Sequence, residues 1–280
     1  MTRPVSRRLR LRGSSHPESG ETLPTDRAVL ALAGVIAAGR QPDERLREPL
    51  DLPRRPGVAV PVGDTAAGLA HSTLVHAPFS GSVEDTRERF AGLENGRAVA
   101  SAVGLAVTGD EAAVPRGAET VECLLRPRLG GPFETVGGYA DVLGALARER
   151  PGHAVALTLG ADPDVLGVWR DHADRAHEWV RQARTSRYDG LFVAHCEETA
   201  PVGTVARLVR DYRSPEPVVL VVAEGQAAVL AVPEVTVDVG EAIETASRAV
   251  GGDGAGTQTR GRARFECETS AFVLELRGAL

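Results

Sequence analysis

The sequence predicts an α/β protein of the α+β kind, with a largely helical first part followed by a small α/β module. Two observations carry this. Between Thr25 and Arg187 apolar residues recur at the three- and four-residue intervals of amphipathic helices. After Tyr188 short β-branched runs alternate with helical segments. The length of 280 residues, with 42% hydrophobic and 25% charged content, allows a sizeable core in one or two domains.

Residues 1–24 contain five Arg among Pro, Gly and Ser and read as a disordered basic arm, either an electrostatic contact for nucleic acid or a remnant. Residues 25–187 form the mostly helical region. "TDRAVLALAGVIAAG" is an apolar helix with Thr25 or Asp26 as N-cap and Gly39 as its stop. Residues 41–64 are a Pro- and Arg-rich connector, and a short helix and turn follow between Leu69 and Leu93. "NGRAVASAVGLAVTG" is a second apolar helix, and "FETVGGYADVLGALARERPG" reads as helix from Thr135. "HAVALTLG" suits a strand or a buried helix. In "DPDVLGVWRDHADRAHEWVRQARTSR" Asp162 caps the helix and Pro163 sits in its first turn. Val165, Trp169, Ala173, Ala176, Val180 and Ala183 supply one buried stripe.

Residues 188–280 alternate between the two periods. "GLFVAHC" is a strand and "PVGTVARLVRDYR" a helix with Val202, Val205, Leu208 and Val209 inward. "PEPVVLVVAEGQAAVLAVP" is a pair of strands turning at Glu224-Gly225. "DVGEAIETASRAVGG" is a helix capped by Asp238 and stopped at Gly251. A Gly/Arg loop then feeds the strand "RARFE" and a final helix "TSAFVLELRGAL".

Composition removes several kinds of chemistry. All 32 basic residues are Arg, so a lysine Schiff base or a P-loop lysine is excluded. Cys123, Cys196 and Cys267 are far apart, odd in number and without a C-x-x-C pair, which points to neither zinc nor a disulfide framework. No run of 18 apolar residues occurs, and the N-terminus lacks the apolar core of a secretory signal. A cytoplasmic protein with no membrane partner is expected.

Conventional catalytic pairings are also missing. His172 and His177 are five apart on one helix, so their rings diverge by about 140° and cannot share a metal; both are expected at the surface or half-buried. His71 and His76 are expected on opposite faces of a strand. Ser72 and Ser80 lack a G-x-S-x-G frame, and His195 and Cys196 alternate on a strand and so point apart. No G-x-G-x-x-G fingerprint follows a strand.

One stretch stands out. "VGGDGAGTQTRGRARFE", Val250 to Glu266, has four glycines in seven residues and three arginines in the next eight. Bare backbone N–H groups beside guanidinium groups suit an anion such as phosphate, and a plain surface loop is the alternative. On a strand, Arg262 and Arg264 share one face while Ala263 and Phe265 share the other. Arg207, Arg210 and Arg213 are further candidates. The net charge of −6 limits any nucleic-acid footprint to this region and the basic arm.

With these elements in order, residues 188–280 resemble the DHH-associated domain of RecJ-like single-strand exonucleases, most closely the archaeal kind. The residues that carry the likeness are "GTVARLVRDYRSPEPVVLVVAEGQAAVLA", "VDVGEAIETASRAV" and "GGDGAGTQTRGRARFE", which follow the family's element order and its G-G-x-G-G-G-H loop. The family's loop histidine falls at Thr257 and one of its glycines at Ala255. The resemblance implies a mixed sheet and a loop that grips single-stranded DNA or RNA through Gly251, Gly252, Gly254, Gly256, Thr257, Arg260, Arg262, Arg264 and Arg213. It also implies replication or repair proteins as partners. Family members use Mn or Mg held by Asp-rich and Asp-His-His motifs; no Asp-His-His occurs here, so no catalytic residue, metal ligand or cofactor is expected. The resemblance therefore implies a catalytically degenerate nucleic-acid binder. The alternatives are an active phosphoesterase whose metal site is supplied by a separate domain, and a scaffold subunit that binds no nucleic acid.

Overall fold

The structure, a computed structural model, describes residues 25–39, 52–93, 95–161 and 164–280. The basic arm, residues 40–51, Glu94, and Asp162 and Pro163 lie outside them. Among the described residues there are eleven helices and one six-stranded mixed sheet, an α/β fold.

The helical part comprises α1 (Thr25–Ala37), α2 (Thr65–Ala70), α3 (Val83–Arg89), α4 (Gly96–Thr108), α5 (Pro115–Val121), α6 (Val136–Glu149), α7 (Pro151–Thr158) and α8 (Leu166–Gln182). Several begin on caps visible in the sequence: Asp64, Ser82, Asn95 and Thr135 each accept a first-turn N–H. In "HAVALTLG" the first six residues are helical, closing α7, and Leu159 and Gly160 follow its end. The long helix starts at Leu166 after Val165, without a side-chain cap. Its stripe is buried as expected: Trp169, Ala173 and Ala176 are fully enclosed. Val29, Leu32 and Ala33 of α1, Tyr139, Leu143 and Leu146 of α6 and Trp169 form one apolar cluster.

The second part is β1 (Arg184–Tyr188), β2 (Leu191–His195), α9 (Val202–Tyr212), β3 (Val218–Ala223), β4 (Gln226–Ala231), α10 (Val239–Ala249), β5 (Asp253–Thr257), β6 (Arg260–Arg264) and α11 (Thr269–Ala279). The strand order is β1-β2-β3-β4-β6-β5; β2 and β3 are parallel, joined through α9, and the other neighbours are antiparallel. β3, "VVLVVA", is buried on both faces because it is the central strand, covered by helices on each side. Val219 and Val221 pack with α9 residues Val205, Leu208 and Tyr212 and with Leu69, Phe79 and Val103 of the helical part. Leu220 and Val222 pack with Ile243 of α10 and Phe272 of α11. The molecule is thus layered as α10 and α11, sheet, α9, helical body. Emptying one central site, as in Leu208→Ala, costs about 2–5 kcal/mol.

Candidate nucleic-acid interface

The Gly/Arg stretch is a β-hairpin, which corrects the expectation of an open loop leading to one strand. α10 is capped by Asp238, whose carboxylate accepts the Glu241 N–H at 3.0 Å. It ends with Gly251 in the left-handed region at φ +73°, a conformation that strains other residues. The chain then runs as β5, turns at Gln258 and Thr259, and returns as β6. β5 escapes a sequence reading because "DGAGT" has no β-branched residue before Thr257 and buries nothing fully.

The register sorts the stretch into two faces. Asp253, Ala255 and Thr257 sit opposite Arg264, Arg262 and Arg260, which in turn oppose Gln226, Ala228 and Leu230 of β4. All of these share the α9 side of the sheet, because Ala228 belongs to the α9 cluster. Gly254, Gly256 and Gly261 lie on the other side, under α10. A Cβ on Gly254 would stand 2.4 Å from Ser247 Oγ and 2.8 Å from the Ile243 carbonyl oxygen. One on Gly256 would stand 2.7 Å from the Gly240 Cα, and one on Gly261 2.5 Å from an Ile243 methyl. These glycines let α10 lie directly on the hairpin, and Gly252 packs against Arg264 and Phe265. Phe265 is buried against Phe272, rings stacked at 4.3 Å, so it packs inward.

On the open face α9 lies over β3 and β4, and beside it Ala255, Thr257, Arg262 and Arg264 remain exposed, with Arg260 half-buried. Arg262 leans back onto the start of α9: its Nη2 is 3.0 Å from where a Cβ on Gly203 would stand. One turn along, Arg207 Nη2 donates to Thr73 Oγ1 at 2.9 Å. The structure does not bring Arg213 to this face. It caps the far end of α9, about 15 Å from Gly203 by helix rise, and pairs with Asp110 at 2.8 Å. Arg210 is likewise engaged, with Asp211 at 2.7 Å.

Behind α9 lies a buried polar network that the sequence reading missed. Asp141 of α6 accepts from the Thr73 N–H at 3.0 Å, the Thr73 hydroxyl at 2.5 Å and Trp169 Nε1 at 3.0 Å. His172 Nδ1 donates to Glu149 at 2.7 Å, leaving Nε2 to accept the Thr204 hydroxyl at 2.9 Å. That hydrogen bond, reinforced by Arg175, holds the Glu149 carboxyl down at about 2. His177 Nε2 donates to the Ser72 carbonyl at 3.2 Å, so its Nδ1 accepts from His76 Nδ1 at 3.0 Å. Burial pulls both of these histidines well below the ordinary imidazole value, His177 to about 3.

Two histidine expectations are therefore corrected. His172 and His177 are buried at 1% and 0% exposure, not at the surface, because α8 is covered on two sides. Their divergence is real: each finds a different partner, Glu149 or His76. His71 and His76 do not lie on a strand; the segment between α2 and α3 is irregular, and His71 follows α2 and faces Asp174 at 3.4 Å.

Burial pushes the Cys196 thiol up to about 12, the opposite of an activated nucleophile. Among the described residues no group of three or more His, Cys, Asp or Glu is placed to hold a metal ion. The donor set for paired divalent ions that the resemblance implies is therefore not met by these residues. No described helix is long and apolar enough to cross a membrane.

Comparison with known proteins places these features in context. A domain family described as the C-terminal domain of the uncharacterized protein rrnAC1427 matches residues 183–278. The uncharacterized protein rrnAC1427 of Haloarcula marismortui is 50% identical over 282 aligned positions, covering 94% of this chain and 74% of that protein. Among solved structures, RecJ from Thermus thermophilus in complex with Mg2+ aligns with a TM-score of 0.42 and 18% identity, covering 92% of this chain. The chain spans 35% of that RecJ chain. A DHH domain from a member of the s1p family of ribosomal proteins aligns with a TM-score of 0.37 and 14% identity, over 70% of this chain and 52% of the other.

Proposed function

This chain belongs to the family of the uncharacterized Haloarcula protein rrnAC1427, and we propose that it is a RecJ-like protein that grips single-stranded nucleic acid on the α9 face of the β5–β6 hairpin. The observation that carries the reading is the register of β6, which puts Arg260, Arg262 and Arg264 on one face, opposite Thr257, Ala255 and Asp253. Alternate residues of one strand stand roughly 6.4–6.8 Å apart, close to the spacing of successive phosphates along an extended strand. Three guanidinium groups so spaced, with the Thr257 hydroxyl at the end of the row, suit a phosphodiester backbone and read no base. The glycines under α10 hold the hairpin in place, and the arginines supply the charge. Grip without cleavage is part of the proposal, with replication or repair as its setting.

Fluorescence anisotropy with a labelled single-stranded oligonucleotide tests it. Binding weakens as salt rises, by about 0.7 in log–log slope for each phosphate contact. Replacing Arg260, Arg262 and Arg264 together with Ala removes most of that dependence. Salt-independent binding, or none, sinks the proposal. Degradation of the same strand by this chain with added Mn2+ would favour the phosphoesterase alternative.

A further inference from the structure

β1 closes one end of the sheet, and its main chain is open on the far side. The direction of the ladder shows which groups point there. The Gly190 carbonyl accepts from the Val218 N–H at 3.2 Å, and the Cys196 N–H donates to the Val222 carbonyl at 2.8 Å. The even-numbered residues of β2 therefore turn to β3. Main-chain groups alternate in direction along a strand, so Leu191, Val193 and His195 turn to β1 and bond their register partners Tyr188, Ser186 and Arg184. The N–H and C=O groups of Thr185 and Arg187 are left pointing outward, and both residues are exposed.

Native sheets guard such an edge with a proline, a bulge, a covering element or charge. "RTSRY" contains no proline, and its pairing with β2 runs unbroken from Arg184 to Tyr188. Charge is the remaining guard, and it acts against a like charge directly opposite. A second copy laid antiparallel about a two-fold axis through Ser186 avoids that. Thr185 of each copy then faces Arg187 of the other, so the outward N–H and C=O groups of both residues meet partners. Arg184 faces Tyr188 of the second copy, with the exposed Asp189 carboxylate one residue beyond. Arg187 keeps its pair with Glu216, and Arg277 keeps its place 3.8 Å over the Tyr188 ring. Shifting the axis by one residue loses this fit. Centred on Arg187, it sets two arginines opposite each other. Centred on Thr185, it sets Arg187 against Ala183, whose N–H is already given to the Trp179 carbonyl.

We propose that β1 is a docking edge for a second copy of this chain, the two joining in a self-complementary two-fold contact that continues the six-stranded sheet into its twin. The contact is short, well below the span of a standard interface, so the dimer is weak and forms as concentration rises. The two-fold axis of an antiparallel strand pair stands perpendicular to the sheet, so both copies turn their α9 faces to the same side. The pairing uses no residue of β5 or β6 and stands apart from the hairpin grip.

The test is sedimentation velocity of the full chain over a rising concentration series, in which the monomer passes to a species of twice its mass. Thr185→Pro removes an outward donor while β1 keeps its bonds to β2, and it weakens dimerisation by at least about tenfold. Arg184→Asp weakens it by about fivefold, through two exposed charge contacts across the axis, and adding Asp189→Arg restores it. Ser186→Cys in a Cys123→Ser background reads the register directly. Facing residues of a non-hydrogen-bonded antiparallel pair stand about 4.5 Å apart at Cα, within reach of a disulfide. Mild oxidation then gives a covalent dimer, and Thr185→Cys in the same background gives far less. Ser186→Cys decides the matter even if Thr185→Pro does not fold. The Arg260, Arg262 and Arg264 triple Ala variant dimerises like the parent, so loss of oligonucleotide binding and loss of this contact are separate results. A chain that stays monomeric throughout, or oxidation that links Thr185→Cys as readily as Ser186→Cys, overturns the proposal. A monomer that instead takes up a polyglutamate peptide, with Thr185→Pro blocking the uptake, also overturns it by giving the edge to an acidic strand.

Discussion

Gly254→Ala is the sharpest probe of why the hairpin is built from glycine. The added methyl would stand 2.4 Å from Ser247 Oγ and 2.8 Å from the Ile243 carbonyl oxygen, where ordinary contact begins near 3.4 Å. Those two atoms are themselves hydrogen-bonded at 2.6 Å. The methyl cannot turn away, so α10 must rise off the hairpin by about 0.6 Å or lose that bond. Overpacking of this kind costs about 1–3 kcal/mol, and the broken hydrogen bond adds about 1 kcal/mol. The expected loss is therefore about 2–4 kcal/mol, read as a lower urea midpoint at unchanged m. Gly251 is the control. A Cβ there meets nothing within 4 Å, and only its φ of +73° resists substitution, at about 1–2 kcal/mol for Ala. Asn restores part of the loss at Gly251 and worsens it at Gly254. If Gly254→Ala unfolds within about 0.5 kcal/mol of the parent, the close approach of α10 is not what requires glycine there.

Other variants test the remaining parts. Asp141→Ala strands the Thr73 N–H, the Thr73 hydroxyl and Trp169 Nε1; a loss of about 3–9 kcal/mol is expected by urea unfolding, at about 1–3 kcal/mol for each buried donor left unmet. His76, His172 and His177 all have depressed folded pKa values. The unfolded chain then binds more protons below its ordinary value of 6.5. Stability is full above pH 6.5 and falls as the pH drops toward 3, by about 1.4 kcal/mol per pH unit for each histidine titrating only in the unfolded state. Urea midpoints unchanged between pH 7 and pH 5 would contradict this. Arg213→Ala removes the pair with Asp110 and is expected to lower stability while leaving oligonucleotide affinity within about twofold of the parent. A tenfold loss of affinity would put Arg213 back in the interface.

Much of the second part was legible because its elements carry a single strong period. α9 and α10 show one apolar face each, and β3 and β4 are apolar runs around a Glu-Gly turn. β1 was missed because "RTSRY" is a polar edge strand with nothing fully buried, and β5 because glycine has no side chain to pattern. The arginine row on β6 followed from alternation alone. The approach of Arg262 to Gly203 did not, since that depends on which face of the sheet α9 covers. The histidines misled for a related reason. A spacing of five fixes the angle between two rings but says nothing of what packs outside them, and α8 is enclosed on both sides. Arg213, grouped with the loop arginines by charge, was separated from them by the length of α9.

The most direct measurement is the salt dependence of single-stranded oligonucleotide binding by the parent chain and by the Arg260, Arg262 and Arg264 triple Ala variant. The account predicts that the log–log slope of the variant is shallower by about 2, three phosphate contacts at about 0.7 each, with folding unchanged. Equal slopes and equal affinities for the two proteins would contradict it.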